Sequence, residues 1–90
     1  MRVFEIGAAD LMSDVLALSK PGMLLLTGLV SAQVIRTAIV SDLCAVVFVR
    51  GKKPGKEILD LALDANIPVL ATDLTMFEAA GVLYGAISCR

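Results

Sequence analysis

Three apolar runs, Leu24-Leu25-Leu26, Cys44-Ala45-Val46-Val47-Phe48-Val49 and Ile67-Pro68-Val69-Leu70-Ala71, carry no alternation of polar and apolar positions. A strand with one face in water alternates every second residue; continuous runs fit strands buried on both faces, the condition of a parallel sheet covered by helices. Between the runs the period changes. Val34, Ile35, Ala38 and Ile39 recur at helical spacing behind Ser31, a candidate N-cap, with Arg36 on the opposite side. Ile58, Leu61, Ala62 and Ala65 repeat the pattern, with Lys56 and Asp60 four apart and Asn66 able to stop the helix in a left-handed conformation.

Thr75-Met76-Phe77-Glu78 has the spacing of a capping box, and Met76, Ala80, Leu83, Tyr84 and Ile87 then outline one apolar helix face. Toward the front, Asp10 to Ser19 reads as a short helix with Leu11, Val15 and Leu18 inward, closed by the turn Ser19-Lys20-Pro21-Gly22. Arg2 to Ile6 alternates and is expected to add an edge strand. Strand and helix thus alternate throughout, which predicts an α/β fold: residues 1–90 as a single domain, a mainly parallel open sheet of about four strands with helices packed on it.

Ninety residues hold one core. The apolar share is 58% and the charged share 19%, so apolar surface is expected to remain after that core is filled, and self-association would cover it. The continuous apolar piece Met23 to Leu26 is far below the roughly 20 residues of a bilayer span. The start MRVFEIGAAD lacks the basic opening and apolar stretch of a signal peptide, so the expected location is cytoplasmic. Cys44 and Cys89 stand far apart in a chain without histidine, which removes the common zinc patterns and leaves free thiols. A net charge of -1 supports neither a nucleic-acid surface nor a membrane partner.

The basic residues are nevertheless uneven. Arg50, Lys52, Lys53 and Lys56, four of the eight, fall within one turn-like stretch, RGKKPGKE. In a parallel sheet, ligands gather at the carboxyl ends of the strands, where unpaired helix amides favour an anion. Three loops meet that description: Thr27-Gly28-Leu29-Val30-Ser31, Arg50-Gly51-Lys52-Lys53-Pro54 and Thr72-Asp73-Leu74-Thr75. The candidate ligand residues are therefore Thr27, Gly28, Ser31, Arg50, Gly51, Lys52, Lys53, Thr72, Asp73 and Thr75. The competing reading is that Ser31, Asp73 and Thr75 cap helices and the lysines are solvated.

RGKKPGKE is not a Walker A loop. That motif separates its glycines by four residues and ends on a magnesium-holding hydroxyl. Here three residues intervene, Glu57 stands at the hydroxyl position, and Pro54 offers no amide and suits the first turn of a helix. Acid–base catalysis lacks a histidine, and Asp10, Asp14, Asp42, Glu57, Asp60 and Asp64 are read as mostly exposed helical carboxylates, leaving Asp73 as the one acid at the ligand edge. Neither cysteine has the electropositive setting of a reactive thiol. No catalytic residue, metal or cofactor is expected.

The stretches Ala9 to Val15, Lys20-Pro21-Gly22, Ala45 to Pro54 and above all Ile67 to Gly81, "IPVLATDLTMFEAAG", resemble a DRTGG-type domain across residues 9–86. The string DRTGG itself is absent, and Thr27-Gly28-Leu29-Val30 stands where a corresponding loop would lie. The resemblance implies a non-catalytic module, similar to the amino-terminal domain of HPr kinases and often labelled serine-kinase-like. It also implies likeness to accessory or dimer-forming domains beside CBS domains in regulated pyrophosphatases and within phosphate acetyltransferases, and to small stand-alone members that occur near iron-only hydrogenase and electron-transfer genes. The expectation is a regulatory or scaffolding homodimer that is not an enzyme and binds a small anion, phosphorylated small molecule or nucleotide. The alternatives are a subunit or accessory of a kinase-like complex and a structural partner of a hydrogenase or other redox complex.

Overall fold

A computed structural model of the protein describes residues 5–88. The elements alternate as β1 (Ile6–Ala8), α1 (Met12–Leu18), β2 (Leu24–Thr27), α2 (Ala32–Val40), β3 (Ala45–Phe48), α3 (Lys56–Asp64), β4 (Val69–Ala71) and α4 (Met76–Ser88). All neighbouring strands pair in parallel, in the order β1-β2-β3-β4. The α/β class, the parallel sheet and its four strands agree with the sequence.

The register explains the continuous apolar runs. Leu25 lies beside Val46, which lies beside Val69, and this row joins Phe48 in a core with Met12 and Val15 of α1, Val34 and Ala38 of α2 and Ile58 of α3. On the other face, Leu24, Leu26, Ala45, Val47 and Val49 pack against Met76, Ala79, Ala80 and Leu83 of α4. Every residue of β2 and β3 is buried, because each must serve both cores. Three helices cover one face, and α4 alone covers the other, lying over β1 and β2.

The helix ends are set locally. α2 and α3 close with the same pair of bonds: Leu43 donates to Ala38 and Asp42 to Ile39, and Ile67 donates to Ala62 and Asn66 to Leu63. This is the Schellman arrangement, with Asp42 (φ 55°) and Asn66 (φ 58°) in the left-handed position. Asn66 is legible as a stop; Asp42 fills the equivalent place without a sequence signal as clear. Before β2, the Met23 amide donates to Lys20 across Pro21-Gly22, and Gly22 at φ 83° supplies the conformation such a turn requires.

Several expectations need correction. The edge strand is Ile6–Ala8, paired to Leu24–Leu26, so only Ile6 belongs to the stretch Arg2 to Ile6, of which residues 2–4 lie outside the described chain. In α1 the inward residues are Met12 and Val15; Leu11 precedes the helix in extended conformation and is 61% exposed. The Leu18 and Ile87 side chains and Cys89 lie outside the described residues. Ile39 and Tyr84 face out, since Val34, Ile35 and Ala38 on α2 and Ala79 on α4 hold the buried positions. Pro54 is not in the first turn of a helix, because α3 starts at Lys56 with Gly55 as an extended N-cap. Among the described residues, no helix is long and apolar enough to cross a membrane.

Candidate functional site

The turn after β3 uses left-handed backbone twice, at Arg50 (φ 58°) and Gly51 (φ 69°), and closes when the Lys52 amide donates to the Val49 carbonyl. Glycine adopts this geometry freely, whereas an L-residue such as Arg50 is held there at a cost of roughly 1–2 kcal/mol. The restraint comes from the next loop. The Arg50 amide donates to Leu74 O at 2.7 Å and the Gly51 amide to Thr72 O at 2.8 Å. All three amides of Arg50-Gly51-Lys52 are therefore spent within the protein, whereas a phosphate loop needs such amides free.

At the turn after β2, Thr27 is the last strand residue and is fully buried. The Gly28 amide donates to Asp10 Oδ1 at 2.7 Å and the Thr27 hydroxyl to the same oxygen at 3.4 Å, while the Leu29 amide donates to Thr27 Oγ1 at 3.1 Å. The anion at this turn is thus the chain's own. Asp10 is exposed but not helical: it sits in the β1–α1 loop, at the same sheet edge as Asp73. Its signal was the position of β1; a strand ending at Ala8 puts Asp10 in a carboxyl-end loop, and a strand ending at Ile6 does not. The Arg50 guanidinium lies against Gly28, where a Cβ would meet it.

Ser31 stands at the N-cap of α2 with extended backbone but makes no side-chain cap, and its Oγ is buried with no hydrogen-bond partner among the described residues. The last loop does follow the capping rule. The Glu78 amide donates to Thr75 Oγ1 at 3.2 Å, and the Thr75 amide donates to Glu78 Oε1 at 3.0 Å. The Thr75 amide, and after it the Thr75 side chain, hold the Glu78 carboxyl below its ordinary range. The Leu74 amide is likewise taken, by Thr72 Oγ1 at 3.2 Å.

The turns after β3 and β4 lead to helices on opposite faces, so the sheet has its switch point between these two strands. A cleft of about 180 Å³ lies there, lined by Gly51, Lys53, Ala71, Thr72 and Asp73. Asp73 Oδ1 would be 3.1 Å from a Cβ on Gly51, so glycine keeps that wall open. Of the ten candidate residues, Gly51, Lys53, Thr72 and Asp73 come together in this cleft. Arg50 braces it through its backbone, Thr27 and Gly28 are tied instead to Asp10, Thr75 caps α4, Ser31 belongs to the α2 start, and Lys52 is exposed outside the lining. Lys56 is drawn away into an ion pair with Asp60 at 2.8 Å.

Chemically, this cleft offers a cation, a carboxylate and a hydroxyl that can orient a polar group. Burial pushes the Cys44 thiol upward, against an opposing backbone hydrogen bond, which suppresses the thiolate. Among the described residues, no three histidine, cysteine or acidic side chains are placed to share a metal ion.

A parallel sheet with helices on both faces and a polar cleft at its switch point defines an open-sheet α/β module. The model of the DRTGG domain matches residues 2–86, and the chain belongs to that family. Among solved structures, it is similar to the CBS and DRTGG domains of the regulatory region of Clostridium perfringens pyrophosphatase, complexed with the activator diadenosine tetraphosphate. The TM-score is 0.72 at 24% identity, over 83% of this chain and 33% of that one, so the likeness is one of fold and this chain spans about a third of that structure. No curated protein matches the chain.

Proposed function

We propose that the protein is a non-enzymatic regulatory or scaffolding module that binds a phosphorylated small molecule or nucleotide at the carboxyl edge of its sheet. The observation that carries this reading is the switch-point cleft, where Lys53 supplies a cation and Thr72 a hydroxyl beside an open Gly51, while Asp73 can only accept, from a ligand hydroxyl and not from the phosphate. The anion would sit here and not at the β2 turn, because Asp10 already occupies the Gly28 amide. That a pyrophosphatase regulatory region of the same fold is complexed with a nucleotide activator supports the same class of ligand.

The test is thermal stabilisation by ATP, diadenosine tetraphosphate and inorganic pyrophosphate. At least one is expected to raise Tm, and Lys53→Ala to remove the rise; no shift with any of them refutes the reading. The catalytic alternative, an accessory of a kinase-like complex, meets an obstacle in the spent amides of Arg50, Gly51 and Lys52. ATP turnover by the isolated chain would favour it.

A homodimer is part of the proposal. Phe77 and Tyr84 lie seven residues apart on the outer side of α4 and are 88% and 71% exposed, an apolar stripe that a second copy would cover. Sedimentation at tens of micromolar is expected to show dimers, weakened by Tyr84→Lys; a monomer at that concentration refutes this half. Co-purification with a hydrogenase or other electron-transfer protein would instead favour the redox-partner alternative.

A further inference from the structure

The polar cleft does not end at its own walls. A second cavity of about 280 Å³ lies on the α4 side of the sheet, lined by Val47, Leu70, Ala71, Thr72, Leu74, Ala79, Val82 and Leu83, and it shares Ala71 and Thr72 with the cleft. It exists because α4 lies over β1 and β2, with its flank reaching β3, and leaves β4 at the sheet edge uncovered on this face. Leu70, Leu74 and Val82 are accordingly 54%, 37% and 62% exposed. Together the two cavities reach the size range of small-molecule sites, roughly 300–1,000 Å³.

We propose that the two form one amphipathic site, and that its ligand is an amphiphile with an anionic head at Lys53 and an alkyl or acyl tail in the groove of Leu70, Val82 and Leu83. This rests on the anion-binding reading of the cleft and narrows its ligand class. Lys53, the cation of the described lining, places the head despite the Asp73 carboxylate beside it, and the shared Ala71-Thr72 wall places the tail. An aliphatic tail fits better than a nucleobase. Among the described residues lining the groove, Thr72 is the only one with a polar side chain, and its Oγ1 already accepts the Leu74 amide, so a purine there would find few partners for its ring nitrogens. An alkyl chain makes no such demand and would cover the exposed leucine and valine surface.

The experiment titrates the purified chain by calorimetry with methyl, butyl and octyl phosphate, the last below its micelle concentration, and with octanol. Each methylene removed from water is worth about fourfold in affinity, so Kd is expected to fall at least about tenfold from methyl to octyl phosphate. Leu70→Asn and Val82→Asn, both at exposed positions, should remove that gain and leave methyl phosphate unchanged. Lys53→Ala should weaken all three phosphates alike and leave octanol unaffected. Equal affinity for methyl and octyl phosphate overturns the tail site while the anion reading stands. Octyl phosphate binding that is insensitive to Lys53→Ala and no tighter than octanol overturns the head placement. No binding by any phosphate refutes the anion reading and the inference with it. Loss of octyl phosphate binding as the chain self-associates assigns the groove to a second copy and overturns the proposal.

Discussion

Replacing Asp10 by alanine is the most direct probe of how the rim is built. In the folded protein, one carboxylate oxygen accepts the Gly28 amide at 2.7 Å and the hydroxyl of fully buried Thr27 at 3.4 Å. The first is a charge-assisted bond of ordinary length; the second is long and contributes less. Removing the acceptor forfeits one bond to a charged group, about 1.5–3 kcal/mol, and leaves the Thr27 hydroxyl without an acceptor. Because Asp10 is exposed, water can reach the Gly28 amide, which places the expected cost near the lower half of that range, about 2 kcal/mol. For a domain of this size, that corresponds to a fall in Tm of roughly 8–16 °C.

Asp10→Asn keeps a neutral acceptor and should lose about half as much, since charged hydrogen bonds are roughly twice as strong. Asp64→Ala, at the exposed end of α3, is the control and should stay within about 0.5 kcal/mol of the parent protein. Thermal and urea unfolding followed by circular dichroism measure all three. If Asp10→Ala unfolds within about 0.5 kcal/mol of the parent, the carboxylate does not tie the β1–α1 loop to the β2 turn, and the argument moving the ligand anion to the β3–β4 cleft fails with it.

Three further perturbations test other parts of the rim, and a fourth tests Cys44 before β3. The Glu78 carboxyl is depressed in the folded state, so its stabilisation is fully present above its unfolded value of 4.5 and is lost as pH falls through the lower folded value; Glu78→Gln should flatten that acid limb of the stability profile. Thr75→Ala removes the other half of the box and is expected to cost about 1 kcal/mol in urea unfolding. Gly51→Ala forces a side chain into φ 69° and against Asp73 Oδ1, and should destabilise by about 1 kcal/mol or more while closing the cleft, so that any ligand-induced rise in Tm disappears. In a Cys89→Ser background, the Cys44 thiol should alkylate more slowly in the native protein than in urea, because burial raises its pKa; equal rates would contradict the burial.

Much of this fold is legible in local sequence. The continuous runs over Leu24–Leu26 and Cys44–Val49 identify strands buried on both faces, and they are the two central strands. Asn66, Pro21-Gly22 and the Thr75/Glu78 box each act within six residues of themselves, and each behaves as its chemistry dictates. The failures are equally local. β1 is three residues long and reads weakly, so its boundary slipped and carried Asp10 into the wrong element. Leu11 and Met12 are adjacent apolar residues, and only the start of the helix decides which one turns inward.

By itself the sequence determined an alternating parallel α/β chain, with loops carrying glycine, hydroxyl and basic residues gathered at one sheet edge. Those features follow from backbone preference and periodicity, which act over a few residues. The tertiary structure decided which of these residues meet. It set Asp10 against a turn 18 residues away, fastened Arg50 and Gly51 to Leu74 and Thr72, and sent α4 to the face opposite α1, α2 and α3. That last choice created both the switch-point cleft beside Lys53 and the uncovered groove over Leu70. Neither is written in any short segment, because each depends on how helices partition between the two faces of a sheet, and packing of the whole core settles that.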